Sequence, residues 1–485
     1  MTRRKGSKGL TRRKFVQATA LAGTGLALGC GDDDAPGRDA GPGDASPGDA
    51  GRDGAPMVDG GPPDAGPEPV IPPEPTPMAE TFGLGVSSGD VTTEAAILWT
   101  RYDGTLPLEV VVWEMAGEEY ARTAHRERVT PADGGFTHVE AHGLVGGRWF
   151  RYAFFEMEGD TRVGRSPVGQ LRAAFADTDM APMVIGAVSC AKNGMPFQTL
   201  EQAAARDDMD LFLLLGDTTY NDGATTVDQY RAKWAENLAT AGYRGLLAKT
   251  SVLATWDDHE VENNYDPERI DPAQLAAATQ VFFENMPLRR DAAHPNRVWK
   301  SIRWGRTAEL FVLDCRSERL PSTRRGADAI YISREQADWL KAGLAASPAV
   351  FKIILNSVPI TDFPIAFDLA ADDRWEGYAA QREEILRFVE DAGISGLLWV
   401  AGDFHLGCMG RVAASGLGST QVETLVGPAA QTGNVLAAIL GGPQFDWATS
   451  RDSYTLIELD PGTSMVRLWF RDASDSVLET RTYLL

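Results

Sequence analysis

Residues 252–265 read VLATWDDHEVENNY. The stretch opens as an apolar, β-branched run suited to a strand and passes directly into two aspartates, a histidine and a glutamate. A solvated loop needs no such density of charge at the end of a strand. A bound cation explains it, because carboxylates and imidazole are the side chains that ligate metals.

The same pattern recurs along the chain. MVIGAVS (183–189) ends at Cys190, LFLLLG (211–216) at Asp217 and VLATW at Asp257 and Asp258. FKIILN (351–356) ends at Asn356, and LLWVAG (397–402) at Asp403 with His405 two residues on. One such ending means little, since Asp and Asn favour turns. Five of them place metal-binding groups where α/β folds build their sites, beyond the carboxyl ends of strands. Only His259, His294 and His405 lie after residue 180. A site with so few imidazoles must be built largely from oxygen, with one thiolate available. Oxygen donors favour calcium, magnesium or manganese, and a thiolate or phenolate favours a transition metal such as iron.

Around these runs the chain divides into regions. TRRKFVQATALAGTGLALGC (11–30) has a twin arginine at Arg12 and Arg13 and an apolar stretch from Ala18 to Leu28. It predicts a twin-arginine export signal over 1–30, too short for an ordinary membrane span. Cys30 follows Ala-Leu-Gly, a possible lipobox and candidate lipid anchor. Residues 31–78 are Gly, Pro, Ala and Asp with almost no large apolar side chains. They predict a disordered linker. Residues 79–175 contain AAILWTR, LEVVVWEM and RWFRYAFFEME, short strands that predict a small β-sandwich. From about 180 to 485, strands alternate with helices, as in an α/β domain. SREQADWLKAGLAA (333–346) opens with a predicted capping box between Ser333 and Gln336.

The formal net charge of −22 over 485 residues argues against a nucleic-acid partner, which needs a basic face. Beyond Cys30 the cysteines are Cys190, Cys315 and Cys408. An odd number leaves at least one free, paired between chains or metal-bound, and a Cys315–Cys408 disulfide is open on sequence alone.

VSCAKNG, LLLGDTTYND, TWDDHEVENNY, LFVLDCRSER, DDRWEGYAAQRE and WVAGDFH follow one another in the order found in the PhoD-like alkaline phosphatases, which belong to the calcineurin-like metallophosphoesterase superfamily. TFGLGVSSGD through AILWTR also resembles that family's N-terminal domain. The resemblance covers nearly everything after residue 79. It implies an α/β fold, a metallophosphoesterase αββα sandwich, preceded by a small all-β domain of immunoglobulin or fibronectin type. It further implies that Asp217 bridges two metal positions, and that Cys190, Tyr220 and His405 serve ferric iron. Asp258 and Asp403 would serve the pair, with one or two calcium ions as partners of the iron. Asn263 or Asn264 is open as a further oxygen donor. A metal-bridging hydroxide would attack phosphorus, with His259 as general acid, oriented by Glu260 or Asp257. Arg316 and Arg374, in the matching blocks, would hold phosphate oxygens. No Gly-x-Ser-x-Gly elbow competes with this scheme.

The expectation is an exported phosphoric-ester hydrolase, periplasmic or on the cell surface, reaching a membrane only through Cys30 and meeting the twin-arginine machinery on the way. A phosphodiesterase of phospholipase D type, acting on phospholipid or polymer head groups, is the nearest rival. A non-catalytic surface-binding protein is the reading from another class.

Overall fold

The computed structural model describes residues 70–485. The predicted export signal, Cys30 and most of the predicted linker lie outside the described residues. The linker ends earlier than residue 78. Tyr120 donates to Glu74 at 2.6 Å, and Arg165 Nε donates to the Thr76 carbonyl at 2.9 Å. The chain is therefore already docked in its 70s.

All five donor-tipped runs are strands: Met183–Ala191, Leu211–Leu215, Val252–Thr255, Phe351–Asn356 and Leu397–Ala401. The first three are neighbours in a ten-stranded sheet, and the last two are neighbours in a seven-stranded sheet. Within each group the pairing is parallel, so their carboxyl ends emerge along one edge. Every residue of these strands is buried, which is why they read as unbroken apolar runs and do not alternate.

The second sheet shows how its two faces are used. Ile353, Leu355, Leu398 and Val400 join the core that includes Ile185, Leu213 and Leu253 of the first sheet. Ile354 and Trp399, on the opposite face, pack with Leu340 and Leu344 of helix Arg334–Ala346 and with Ile385 and Val389 of helix Ala379–Asp391. Two sheets thus share an inner core with helices outside, the predicted sandwich. Ser333 caps the first of these helices by accepting from the Gln336 amide, but the Gln336 side chain turns away to the Asp314 carbonyl and Glu318. Only half of the predicted capping box forms there. The complete box is at Thr226 and Gln229.

The N-terminal β region is less separate than its sequence suggests. Leu108–Ala116, Glu119–Val129, Trp149–Glu158, Thr161–Arg165 and Gly169–Arg172 form a five-stranded sheet. Val86–Gly89, Ala95–Arg101 and Phe136–His142 instead extend the ten-stranded sheet, with Gly89 in parallel register with Val252. Val86, Leu98 and Val139 still pack against Val110, Phe150 and Phe154. The predicted sandwich exists, and one of its leaves is the edge of the larger sheet. Among the described residues no helix is long and apolar enough to cross a membrane.

Candidate metal centre and active site

Two glycines let the strand ends close up, Gly402 between the two sheets and Gly216 between neighbouring strands of the first. A Cβ on Gly402 would sit 2.6 Å from Ser189 Cβ, and one on Gly216 would sit 2.4 Å from Asp257 Cβ. Gly216 also has φ +83°, which L side chains rarely adopt. The turns that follow carry unusual backbone. Cys190 (φ 54°), Asp217 (54°), Asp403 (66°) and His405 (51°) are all left-handed. They make up four of the nine non-glycine positive-φ positions among the described residues. Such conformations cost roughly 1–3 kcal/mol each and persist where surrounding structure enforces them.

These turns bring together most of the predicted ligands. Cys190, Asp217 and His405 offer donor atoms within 4.8 Å of one another. Asp217, Asp258 and His259 form a second such group, and Asp257, Asp258 and Asp403 a third. Asp217 belongs to two groups, as a bridging carboxylate must. Its Oδ2 lies 3.1 Å from the Tyr220 hydroxyl, which is also 3.1 Å from His405 Nε2. Its Oδ1 is buried with no hydrogen-bond partner. A buried carboxylate oxygen left without a donor costs free energy unless a cation meets it. The donor set therefore fits a pair of cations.

The electrostatics agree. Burial raises the Asp217 carboxyl well above its ordinary range, and the nearby charges of Asp258, Asp257 and Glu260 push it further. Burial and then Asp257 raise Asp403, with Arg316 opposing. Burial and then Asp217 raise the Cys190 thiol and the Tyr220 phenol. Burial, helped by His259, lowers His405 to about 4. Asp258 departs from this pattern: burial raises it, but Arg316 and His259 outweigh that and hold it low.

His259 lies on the wall of a pocket of about 290 Å³ that also includes Asp217, Asp258, Asp403, His405, Asn263, Asn264 and Arg374. Its Nδ1 is 2.8 Å from Asp222 Oδ2, and its ring packs on Tyr220 at 3.9 Å between centroids. Burial lowers its affinity for a proton, but the Asp222 hydrogen bond and the charges of Asp258 and Asp222 more than offset this, so its pKa is raised. The orienting carboxylate is thus Asp222, not the expected Glu260 or Asp257. Asp222 also accepts from the Asn263 amide at 2.8 Å. Its place two residues after Tyr220, in LLLGDTTYND, was the available signal.

Two other expectations change, and Glu260 has a different task. It is fully buried and accepts from the Asp217, Thr218 and Asp257 amides at 3.0, 2.6 and 2.8 Å, tying two ligand-bearing turns together. Arg316 is not at the pocket surface. Its side chain is 0% exposed and grips Asp257 with two nitrogens at 2.5 and 2.9 Å, while also reaching Asp373 and Asp403. Its donors are committed to carboxylates, so the structure does not place it as a phosphate clamp. Asn356 accepts from Cys315 and Trp375 Nε1 and is not among the residues that line the pocket. Cys190, Cys315 and Cys408 are all free and buried, and no Cys315–Cys408 disulfide forms. Arg374 does line the pocket, held by the Phe367 carbonyl and Glu376 and lying 4.6 Å from the Phe404 ring centroid.

A family model described as PhoD-like phosphatase matches residues 184–443, more than half the chain. The chain belongs to the PhoD-like phosphatase family. The N-terminal domain of PhoD-like phosphatases matches residues 69–175. Alkaline phosphatase D of Bacillus subtilis (strain 168) is 29% identical over 380 residues, which cover 67% of this chain. The match spans 64% of that protein's length. In fold, a solved structure of PhoD matches with a TM-score of 0.73 at 22% identity, covering 84% of this chain and 89% of that one. A purple acid phosphatase from yellow lupin (Lupinus luteus) seeds matches with a TM-score of 0.58 at 13% identity, covering 82% and 73%. The metallophosphoesterase sandwich of this PhoD-like chain is therefore shared beyond its own family.

Proposed function

We propose that this chain is a metal-dependent phosphoric-ester hydrolase of alkaline phosphatase D type, exported by the twin-arginine route to the periplasm or cell surface. The observation that carries the reading is the position of Asp217. It contributes to two donor groups that open on one pocket, with His259 on the same wall.

The donors divide by chemistry. Cys190, Tyr220 and His405, with one oxygen of Asp217, would hold ferric iron; Asp258 and Asp403, with the other oxygen and Asn263 or Asn264, would hold calcium. When bound, such a pair supplies Lewis-acid polarisation of phosphoryl oxygens and an activated water. The remaining work falls to the chain. Asp222 holds Nδ1 of His259, which leaves Nε2 to deliver a proton to the departing oxygen. Arg374, anchored by Glu376, offers a guanidinium to the phosphoryl group. Glu260 keeps the Asp217 and Asp257 turns in register by occupying three backbone donors.

His259 also stands in a candidate ligand group with Asp217 and Asp258. Metal analysis of His259→Gln separates the two roles: an acid leaves metal content intact, a ligand does not. The deciding experiment pairs metal analysis of the wild type with hydrolysis of p-nitrophenyl phosphate and bis(p-nitrophenyl) phosphate. The expected result is bound iron and calcium with turnover of at least one substrate, and the ratio of the two rates sets monoester against diester preference. No turnover of either with both metals bound would favour the non-catalytic binding protein.

A further inference from the structure

The catalytic pocket is not polar throughout. Ala366, Phe367, Phe404 and Leu436 line it beside the carboxylates. They come from two short segments, Ile365–Asp373 and Val435–Ile439, and from the turn after Leu397–Ala401. Phe367, Phe404 and Ala437 share one apolar cluster, with Leu436 and Leu440 packed against it. The same two segments then continue outward as apolar surface. Ile365 is 85% exposed, Val435 79% and Ile439 54%.

Single exposed aliphatics are ordinary. Here three of the ten large exposed apolar side chains among the described residues fall on the two segments that wall the pocket. Ile365 adjoins Ala366 and Phe367, and Val435 stands between Asn434 and Leu436, all four of them pocket-lining residues. Exposed apolar side chains thus flank the reaction site on both segments that wall it. Exposed Asp368, next to Phe367, makes this mouth less favourable to a substituent that ends in negative charge.

We propose that the substrate is a phosphoester bearing a long uncharged apolar chain. Ile365, Ala366, Phe367, Val435, Leu436 and Ile439 form the track along which that chain leaves the phosphorus. This rests on the hydrolase reading above and adds the class of substituent. Each methylene fully removed from water on such a track raises kcat/KM by up to about fourfold.

The test uses the metal-loaded full chain and a series of p-nitrophenyl alkyl phosphodiesters with methyl, butyl, octyl and dodecyl groups. The octyl and dodecyl esters are assayed below and above their critical micelle concentrations. The expected result is a kcat/KM at least about tenfold higher for octyl than for methyl. In the triple variant I365S/V435S/I439S that ratio should fall to near one. Comparing the ratio within each protein removes any general change in activity, and metal content of the variant checks its fold. A gain already present below the critical concentration assigns the chain to single molecules. A gain that appears only above it assigns the chain to a lipid aggregate; both sustain the track. A flat series in the wild type overturns it, as does a gain that the triple variant retains. Self-association of the wild type that the variant abolishes, with a flat series, would make the rim a contact between copies and overturn it too. If neither p-nitrophenyl phosphate nor any ester of the series is hydrolysed, the hydrolase reading fails first, so the two failures are distinguishable.

Discussion

The two halves of the donor set differ in how their charge is met. Asp257, Asp258 and Asp403 have Arg316 threaded among them, at 2.5, 3.6 and 3.3 Å. Cys190, Asp217, Tyr220 and His405 have no such counter-charge: among the described residues no ion pair reaches Asp217. The oxygen-rich half therefore carries part of its compensation within the fold, whereas Asp217 receives none from an ion pair. Arg316 and His259 together hold Asp258 low while Asp217 is pushed up, although both are buried; at Asp403 burial and Asp257 outweigh Arg316, and the carboxyl is raised.

The largest test of the contrast is Asp217→Asn. If Asp217 bridges the cation pair as proposed, losing its carboxylate removes several kcal/mol of transition-state stabilisation, roughly 10³–10⁴-fold in rate. Because Asp217 is buried beside like charges, the same change should raise the melting temperature of the chelated, metal-free protein. Rate assays and thermal melts in chelator measure the two effects, and a lower metal-free melting temperature would break the comparison. His259→Gln comes next, with kcat lower by roughly 10²-fold or more and metal content unchanged.

Arg316→Met probes the other half in the opposite sense. Removing one partner of a buried ion pair leaves carboxylates uncompensated and costs about 3–5 kcal/mol. The metal-free variant should melt well below the wild type and recover with added calcium, measured by calorimetry. A variant as stable as the wild type would show that Arg316 is dispensable to the oxygen half.

The pH dependence of the metal-free protein follows from the same groups. Asp217 and Asp403 have raised pKa values in the fold, and burial raises Glu260 to about 7. Below their unfolded values these acids are protonated in both states and favour neither. As pH rises past about 4, the unfolded chain releases protons that the folded chain retains, so stability falls toward pH 7. His405, lowered to about 4, acts oppositely, its stability present above about 6.5 and lost as pH falls toward 4. With three acids against one imidazole, melting temperature in chelator should fall between pH 5 and 7. Saturating cations should flatten that slope.

What the sequence revealed and what it hid divide along a physical line. The donor-tipped strands were legible because burial on both faces makes an apolar run, and the first polar residue after it marks the edge. Cys190, Asp217, Asp258, Asp403 and His405 could be picked out that way. Glu260 could not, because its partners are backbone amides up to 43 residues away, set by left-handed turns that leave no mark in composition. Arg316 sits in a matching block and has the right chemistry for phosphate. Only the three-dimensional position of Asp257 reveals that its guanidinium is already taken. The pairing of Val86–Gly89 with Val252–Thr255 was hidden for a related reason: strand character is local, but the choice of neighbour is not.

Asp222 gives the smallest and most selective test, since its side chain meets the donor set only through the His259 ring and the Asn263 backbone amide. Its Oδ2 fixes Nδ1 and its Oδ1 accepts from Asn263, so Asp222→Asn retains one acceptor and much of the loop. The charge that helps hold the imidazolium is lost. A general acid must be protonated, so kcat falls as pH rises through the His259 pKa. With Asp222 neutral that limb should move to lower pH, and kcat should drop by about tenfold while KM and metal content stay near wild type. In His259→Gln the same substitution should cost almost nothing further, because a residue that works through another has no separate effect once that partner is gone. An additive loss in the double variant, or a lower metal content in Asp222→Asn, would place Asp222 in the scaffold of the metal centre and remove it from the path of the proton.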